Sequence, residues 1–347
     1  MRPGGFVYKL MFWGNWLAAL LLLLSLVIPE LPPIDYPTLS LFSLIVPIVI
    51  SVNILFVLFW LVFRKRNIWL SLLVLIISYF QFGPFVEFNS SKDASEYRET
   101  LSVLSYNVHL FNAYEKVPDT VQVSEVITQI LKEEDPDVVS IQEYYNPNNA
   151  NFSAYPFSYI HFRRGHKLGH AIFSKYPIAR QGAFNFNGTF NNTIYADIVK
   201  GTDTIRVYNL HLQSMGILPN VEYLQDGDTE QLKQRMTTAF KKQQTQIQGI
   251  LAHKKRSPYP VIFSGDLNNT PYSYIYNELR EDMKDAFSER GSGIGRTFSF
   301  EIYPMRIDYI LTSENLEVLD FSTLIKTFSD HRPIRATVGW PVKADAD

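Results

Sequence analysis

The chain has 347 residues, 46% of them hydrophobic, a formal net charge of −2 and no cysteine. Without cysteine, a disulfide framework, a thiol nucleophile and a thiolate metal site are all excluded. The charge is uneven: residues 1–84 carry a net of +3, while the remainder holds 27 basic against 32 acidic side chains, which does not provide the basic face of a non-specific nucleic-acid binder.

Three apolar stretches open the chain. Residues 10–29, 39–63 and 68–86 contain no charged side chain. Each is long enough to cross a hydrocarbon core of about 30 Å as a helix, so residues 1–86 are expected to form a membrane anchor of three transmembrane helices. Residues 28–33, Ile-Pro-Glu-Leu-Pro-Pro, lack the small residues of a signal-peptide cleavage site, which favours an uncleaved first span. Trp13, Trp16, Trp60 and Trp69 lie towards the ends of these stretches, where amphipathic rings prefer to sit. Arg2 and Lys9 precede the first stretch and Arg64, Lys65 and Arg66 separate the second from the third. The positive-inside rule then places the amino terminus and the Arg64 loop in the cytoplasm, and everything after the third span on the far side. Pro47 and Asn53 inside the second stretch read as a mild kink and a helix-packing residue.

Residues 87–99 are polar and short, and read as a linker. From residue 100 to 347, strand and helix signals alternate. Strands are expected at 100–106, 137–141, 169–173, 194–199, 204–210, 261–263, 307–312 and 334–338, and helices at 120–134 and 229–254. The mixture implies a sizeable α/β domain with a mixed sheet.

Several of these strands run into polar residues of one chemical kind. Asn107 closes the first and Glu143 follows the second. His211 ends the strand at 204–210, Asp266 and Asn268 follow 261–263, Asp308 begins the next, and Asp330 and His331 precede the last. Singly, each has an ordinary reading as a turn residue, a solvated strand end or a satisfied histidine. Asp308, inside Ile-Asp-Tyr-Ile, is harder to place that way, because a carboxylate in a buried strand needs a partner. Together they suit phosphate-ester hydrolysis. Glu143, Asp330 and Asn107 offer oxygen ligands for a hard divalent ion. Asp266 can orient or deprotonate a water, with Asn268 beside it. His331 and His211 can donate to phosphoryl oxygens, and Asp308 can fix the tautomer of one of them.

The motifs Ser105-Tyr-Asn107, Gln142-Glu143, Gly169-His-Ala-Ile-Phe-Ser-Lys-Tyr-Pro-Ile178, Asn209-Leu-His211, Gly265-Asp-Leu-Asn268, Arg306-Ile-Asp-Tyr-Ile310 and Ser329-Asp-His331 occur in an order that resembles the endonuclease/exonuclease/phosphatase (DNase I-like) superfamily. The resemblance covers about residues 100–340. It implies an α/β (α+β) four-layer sandwich, two mixed β-sheets face to face with outer helices. It implies metal binding at Glu143, with Asn107 and Asp330 nearby, by Mg²⁺ or, as a substitute, Mn²⁺. It makes Asp266 the residue that activates or positions water, with Asn268 beside it. His331, oriented by Asp308, and His211 become the phosphate-contacting histidines.

The expectation is therefore a bacterial inner-membrane phosphodiesterase with a periplasmic catalytic domain. A lipid headgroup or cell-envelope component is its expected substrate, and no protein partner is inferred. An extracytoplasmic nuclease acting on DNA or RNA, and a catalytically idle binding module, are the alternatives. Residues 215–228 are expected to form a loop beside the site, and the asparagine-rich stretch 185–192 reads as a surface hairpin.

Overall fold

The computed structural model describes residues 5–63, 65–112, 120–145, 150–163, 167–216, 228–300 and 303–340. At the amino terminus three apolar helices, Gly5–Ser25, Val46–Phe63 and Ile68–Phe82, pack against one another. Only the first two are long and apolar enough to span a membrane, not the three expected. The third has 15 residues, about 22 Å at 1.5 Å per residue, against a core of about 30 Å. Gly83 ends it with φ 80°, its N–H bonded to the Tyr79 carbonyl, and Pro84 follows. The second is shorter than expected because Pro37–Ser40 and Leu41–Leu44 form separate short turns before a new helix starts just ahead of Pro47. Asn53 is wholly buried. Its amide donates to the Ala18 carbonyl at 3.0 Å, and the Ser71 hydroxyl lies between the Asn53 and Asn15 side-chain oxygens, so one polar knot ties all three helices.

Two six-stranded mixed sheets follow. One runs in the order Met283–Asp285, Asp308–Ser313, Val261–Asp266, Asp203–His211, Thr193–Lys200, Ile178–Ala183. The other runs Glu317–Thr323, Ile334–Trp340, Glu99–Asn107, Val138–Tyr145, Leu168–Ser174, Phe157–Phe162. Each sheet has one parallel pair at its centre, Asp203–His211 with Val261–Asp266 and Glu99–Asn107 with Val138–Tyr145. Side chains alternate between faces along a strand, and here the alternation sorts the core into layers. Leu101, Val103, Val138, Ile172, Val207, Ile262 and Ile310 face inward and fuse into the inter-sheet cluster. Leu104, Tyr106, Val139 and Ile141 face outward and pack with Val123, Ile127 and Ile130 of the helix Thr120–Glu134. Tyr208, Phe263 and Leu311 face outward on the other sheet, against Ile247 and Ile250 of the helix Thr229–Lys254 and Ile275 of Tyr274–Arg280. The result is the expected helix–sheet–sheet–helix sandwich.

The inward faces change character along the strands. Above the aliphatic tier comes a polar one, Ser105, Ser140, Asn209 and Ser264, all buried. Asn209 donates across the gap to the Ile141 and Ala171 carbonyls at 2.8 and 2.9 Å, and Gln142 donates back to Asn209 at 2.7 Å. These bonds offset the 1–3 kcal/mol that each unpartnered buried polar group would cost. One tier higher, two residues along their strands, stand Asn107, His211 and Asp266, with Asp308 beside Asp266.

The helical unit and the sandwich touch. Tyr272 joins the cluster of Leu22, Val46, Ile50 and Val74 and meets Phe82 edge to face, ring centroids 5.0 Å apart. Thr270 donates to the Ser43 carbonyl at 2.9 Å and Tyr303 to the Leu44 carbonyl at 3.0 Å. The segment expected as a polar linker is docked as well. Glu87–Phe88 pairs with Ser292–Gly293, and the Lys92 N–H donates to the Leu319 carbonyl at 2.7 Å.

Candidate active site

Register builds the centre of the site. His211 pairs with Asp266, and Asp266 with Asp308, across three adjacent strands. All three side chains therefore stand in one row on the inward face. The close approach needs Gly265, which has φ 141° and whose added Cβ would lie 2.0 Å from the Leu210 carbonyl oxygen. From the facing sheet, Asn107 sits beside Gln142 in register, and Glu143 follows with φ 53°, in the left-handed region that side chains other than glycine rarely adopt.

Asp266 is 1% exposed and fully oriented. Its Oδ2 accepts from Asn107 Nδ2 at 3.1 Å and from Asn268 Nδ2 at 3.2 Å, and its Oδ1 from the Asn268 backbone N–H at 2.7 Å. Asn268, with φ 51°, also donates to the Leu212 carbonyl at 3.1 Å. Burial pushes the Asp266 carboxyl up, and the Asp308 carboxylate adds to the rise while His331 opposes it.

His331 arrives on the loop before the last strand. The Ser329 hydroxyl donates to the Asn107 carbonyl at 2.8 Å and accepts the His331 N–H at 3.1 Å, which pins that loop to the facing strand end. His331 Nδ1 lies 2.9 and 3.1 Å from the two Asp308 oxygens, and Nε2 lies 3.8 Å from Asp266 Oδ2. Burial alone would lower this histidine, but Asp308 and Asp266 outweigh it and hold it up at about 10. His331 is therefore cationic at neutral pH.

His211 is the opposite case. Its Nε2 accepts from Asn191 Nδ2 at 2.8 Å, and Nδ1 faces His170 Nε2 at 3.3 Å. Burial, then His170 and His331, hold it well below the ordinary value, so it is neutral. Its Nε2 is 3.8 Å from both Glu143 Oε1 and Asp266 Oδ2. Burial also raises the Glu143 carboxyl, and His109 and His331 oppose that rise.

Every sequence-derived site residue lies in this region, but the expected metal group is not the tightest one. Among the described residues, the only three side chains grouped closely enough to share an ion are Asp266, Asp308 and His331, with ligand atoms within 4.8 Å. His331 is cationic, with Nδ1 committed to Asp308, so this trio is a charge-balanced dyad with a neighbouring carboxylate rather than a ligand set. Glu143, by contrast, is a largely buried carboxylate with no lysine or arginine partner among the described residues. Asp330 accepts the Ser329 hydroxyl at 3.1 Å, and its one ion-pair partner among the described residues is His109, at 3.7 Å. Carboxylates short of cations suit a divalent ion. Sequence reasoning missed His170, and it placed Asn191 on a surface hairpin although Asn191 is 8% exposed and bonded to His211. Strand alternation was the available signal for His170, which shares a face with Ile172. Of the expected loop at 215–228, residues 217–227 lie outside the described residues.

Residues 104–331 match the profile of the Endonuclease/Exonuclease/phosphatase family. Residues 8–85 match a second profile, described as a domain of unknown function (DUF8431). No curated protein matches the chain. Similar solved structures include an endonuclease/exonuclease/phosphatase from Bacteroides vulgatus, 16% identical over 70% of this chain and 100% of that one, TM-score 0.54. A family protein from Bacteroides thetaiotaomicron is 18% identical over 70% and 99%, TM-score 0.53. Truncated TDP2 from Caenorhabditis elegans is 19% identical over 70% and 99%, TM-score 0.51. At these identities the likeness shows the fold, and it is the family match over most of the chain, on the strands that carry the site, that shows descent. The chain belongs to the Endonuclease/Exonuclease/phosphatase family and is a hydrolase of the phosphodiesterase and nuclease class.

Proposed function

We propose that this hydrolase is a membrane-anchored, Mg²⁺-dependent phosphodiesterase whose catalytic domain lies outside the cytoplasm and which cleaves a diester in a lipid headgroup or envelope component. The observation that carries the reaction is the row of His211, Asp266 and Asp308 with His331 closing it, opposite Asn107 and Glu143. Glu143, with Asn107 and Asp330, would hold the ion, Mg²⁺ or Mn²⁺, which supplies charge to polarise the phosphoryl oxygen and stabilise the leaving oxygen. Asp266, clamped by Asn107 and Asn268, orients the attacking water and takes its proton. His331, kept cationic by Asp308, donates to a phosphoryl oxygen as negative charge grows there. Neutral His211 bounds the other side of the same space.

The substrate reading rests on where the helical unit docks. The chain runs from Asp266 and Asn268 straight into Thr270 and Tyr272, and both contact that unit. Helix ends Ser25, Val46 and Phe82 lie at the sandwich, whereas Tyr8 and Asn67 meet at the far end, 3.2 Å apart. Lys9 and Arg66 adjoin that pair at the far end, the arrangement that the positive-inside orientation requires. The catalytic edge thus lies on the side of the sandwich that carries the helical unit, next to the non-cytoplasmic membrane surface in this reading.

The test is headgroup release from phospholipid vesicles by the full chain with Mg²⁺ or EDTA, alongside plasmid DNA and RNA. Mg²⁺-dependent lipid cleavage is expected. Cleavage of nucleic acid with intact lipid would overturn the substrate reading, and EDTA-resistant cleavage the metal reading.

A further inference from the structure

A cavity of about 260 Å³ lies where the second and third apolar helices meet the sandwich. It is separate from the catalytic row but flanks it: one wall is Tyr272, four residues beyond Asn268, and its floor is Arg306, two residues before Asp308. The helix side is apolar, with Ile48, Val52, Phe82 and Phe85, apart from Ser51, whose hydroxyl is bonded to the Pro47 carbonyl at 2.8 Å, and the sandwich side adds the rings of Tyr272 and Tyr303.

The charged lining residues are Glu87 and Arg306. The Arg306 side chain is only 9% exposed and spends one N–H group on Asp285, at 2.6 Å. The guanidinium also lies 4.8 Å from the Phe287 ring centroid and 4.7 Å from that of Tyr309. Among the described residues its other N–H groups have no hydrogen-bond acceptor, although the group lines the cavity. Glu87, 6% exposed, lines the same floor, with one oxygen taking the Asn89 amide at 3.1 Å. A buried guanidinium with spare donors asks for an acceptor. A buried carboxylate beside it asks for a donor and disfavours an anion. The volume is just below the 300–1,000 Å³ of ordinary small-molecule sites, so there is room inside for one chain segment and a small polar group, and any second chain of a lipid would lie outside the cavity.

From this arrangement we infer that the cavity binds a neutral acylglycerol, one acyl chain against Ile48, Val52, Phe82 and Phe85, its ester carbonyl on Arg306 and its free hydroxyl on Glu87. The inference rests on the membrane reading given above. It concerns binding alone and requires no catalysis, so it stands or falls apart from the reaction. It would give the enzyme a lipid contact beside the scissile site that a soluble relative without the amino-terminal helices would lack.

The experiment is native mass spectrometry of the full chain in detergent with dioleoylglycerol, with phosphatidic acid of the same chains, and with an alkane of matching length. One dioleoylglycerol per chain is expected, at least about tenfold tighter than phosphatidic acid, a difference of 1.4 kcal/mol. Val52→Trp, which fills the cavity from the helix side, should remove the adduct. Glu87→Gln should narrow the preference for dioleoylglycerol over phosphatidic acid, a change of selectivity that a folding defect would not produce. Circular dichroism melting checks that both variants fold. No adduct with the folded wild type, equal binding of all three probes, or an adduct unchanged in Val52→Trp would overturn the inference.

Discussion

Asp266 is held by three hydrogen bonds before any substrate arrives, and His331 is held, by Asp308 first and then Asp266, at a charge that burial alone would remove. Asp308 therefore acts through His331. Asp308→Asn keeps the shape and removes the anion, so kcat should fall about 10²-fold, the scale of losing one stabilised donor, with KM changing much less. Steady-state kinetics on a soluble diester checks this, and an unchanged kcat would contradict the role given to Asp308. His170 offers a separate test. Burial lowers it from an ordinary 6.5 to about 3, so it folds in the neutral form. Its contribution to stability is complete above pH 6.5 and is lost as pH falls from there towards 3, at up to about 1.4 kcal/mol per pH unit for one proton. His170→Gln, which cannot titrate, should show a smaller drop in melting temperature between pH 7.5 and 5 than the wild type. His211 keeps its own share of the drop in both proteins.

Strand ends do the assembling at the scale of elements, and Gly265 shows how tightly. With the Leu210 carbonyl occupying the place of a Cβ, Gly265→Ala must push apart the parallel pair that aligns His211 with Asp266. The expected loss is about 3 kcal/mol or more, visible as a large fall in melting temperature, together with loss of hydrolysis. A variant as stable as the wild type would show that the pair yields without cost. The central strands were legible in the sequence because their inward and outward faces are both apolar and end abruptly in Asn107, Glu143, His211 or Asp266. The strands Phe157–Phe162, Ile178–Ala183 and Glu317–Thr323 were not, because they lie at or near sheet edges and carry half-exposed faces with little apolar pattern. The short third helix was legible in principle: Gly83-Pro84 is a stop signal inside an otherwise uncharged run. The inward turn of Asn191 was not, since an asparagine-rich stretch reads as a turn wherever its side chains point.

At the scale of the whole molecule, two families of packing meet on one edge. The helical unit exposes Leu17, Leu24, Leu55, Leu58, Val62 and Phe80 around its circumference, an apolar surface that water does not cover cheaply. The full chain should stay with membranes through alkaline carbonate washing and leave only with detergent. Protease added to intact cells with a permeabilised outer envelope should reach the sandwich and not the Arg64 loop. Recovery of the chain in the soluble fraction would contradict the anchor. The docked segment after Phe88, held through Lys92 and Glu317, gives the sandwich little freedom to swing away from the helices. The orientation of the catalytic edge is thus built in rather than left to a tether.

In the proposed reaction Asp266 and a divalent ion together activate water on a phosphodiester. The measurement that meets it most directly is hydrolysis of bis(p-nitrophenyl) phosphate by the full chain in detergent, with Mg²⁺ or EDTA, beside Asp266→Ala. Turnover is expected with Mg²⁺, none above background with EDTA, and a loss of about 10²–10⁴-fold in the variant. A variant that keeps the wild-type rate, or a wild-type rate indifferent to EDTA, would contradict it.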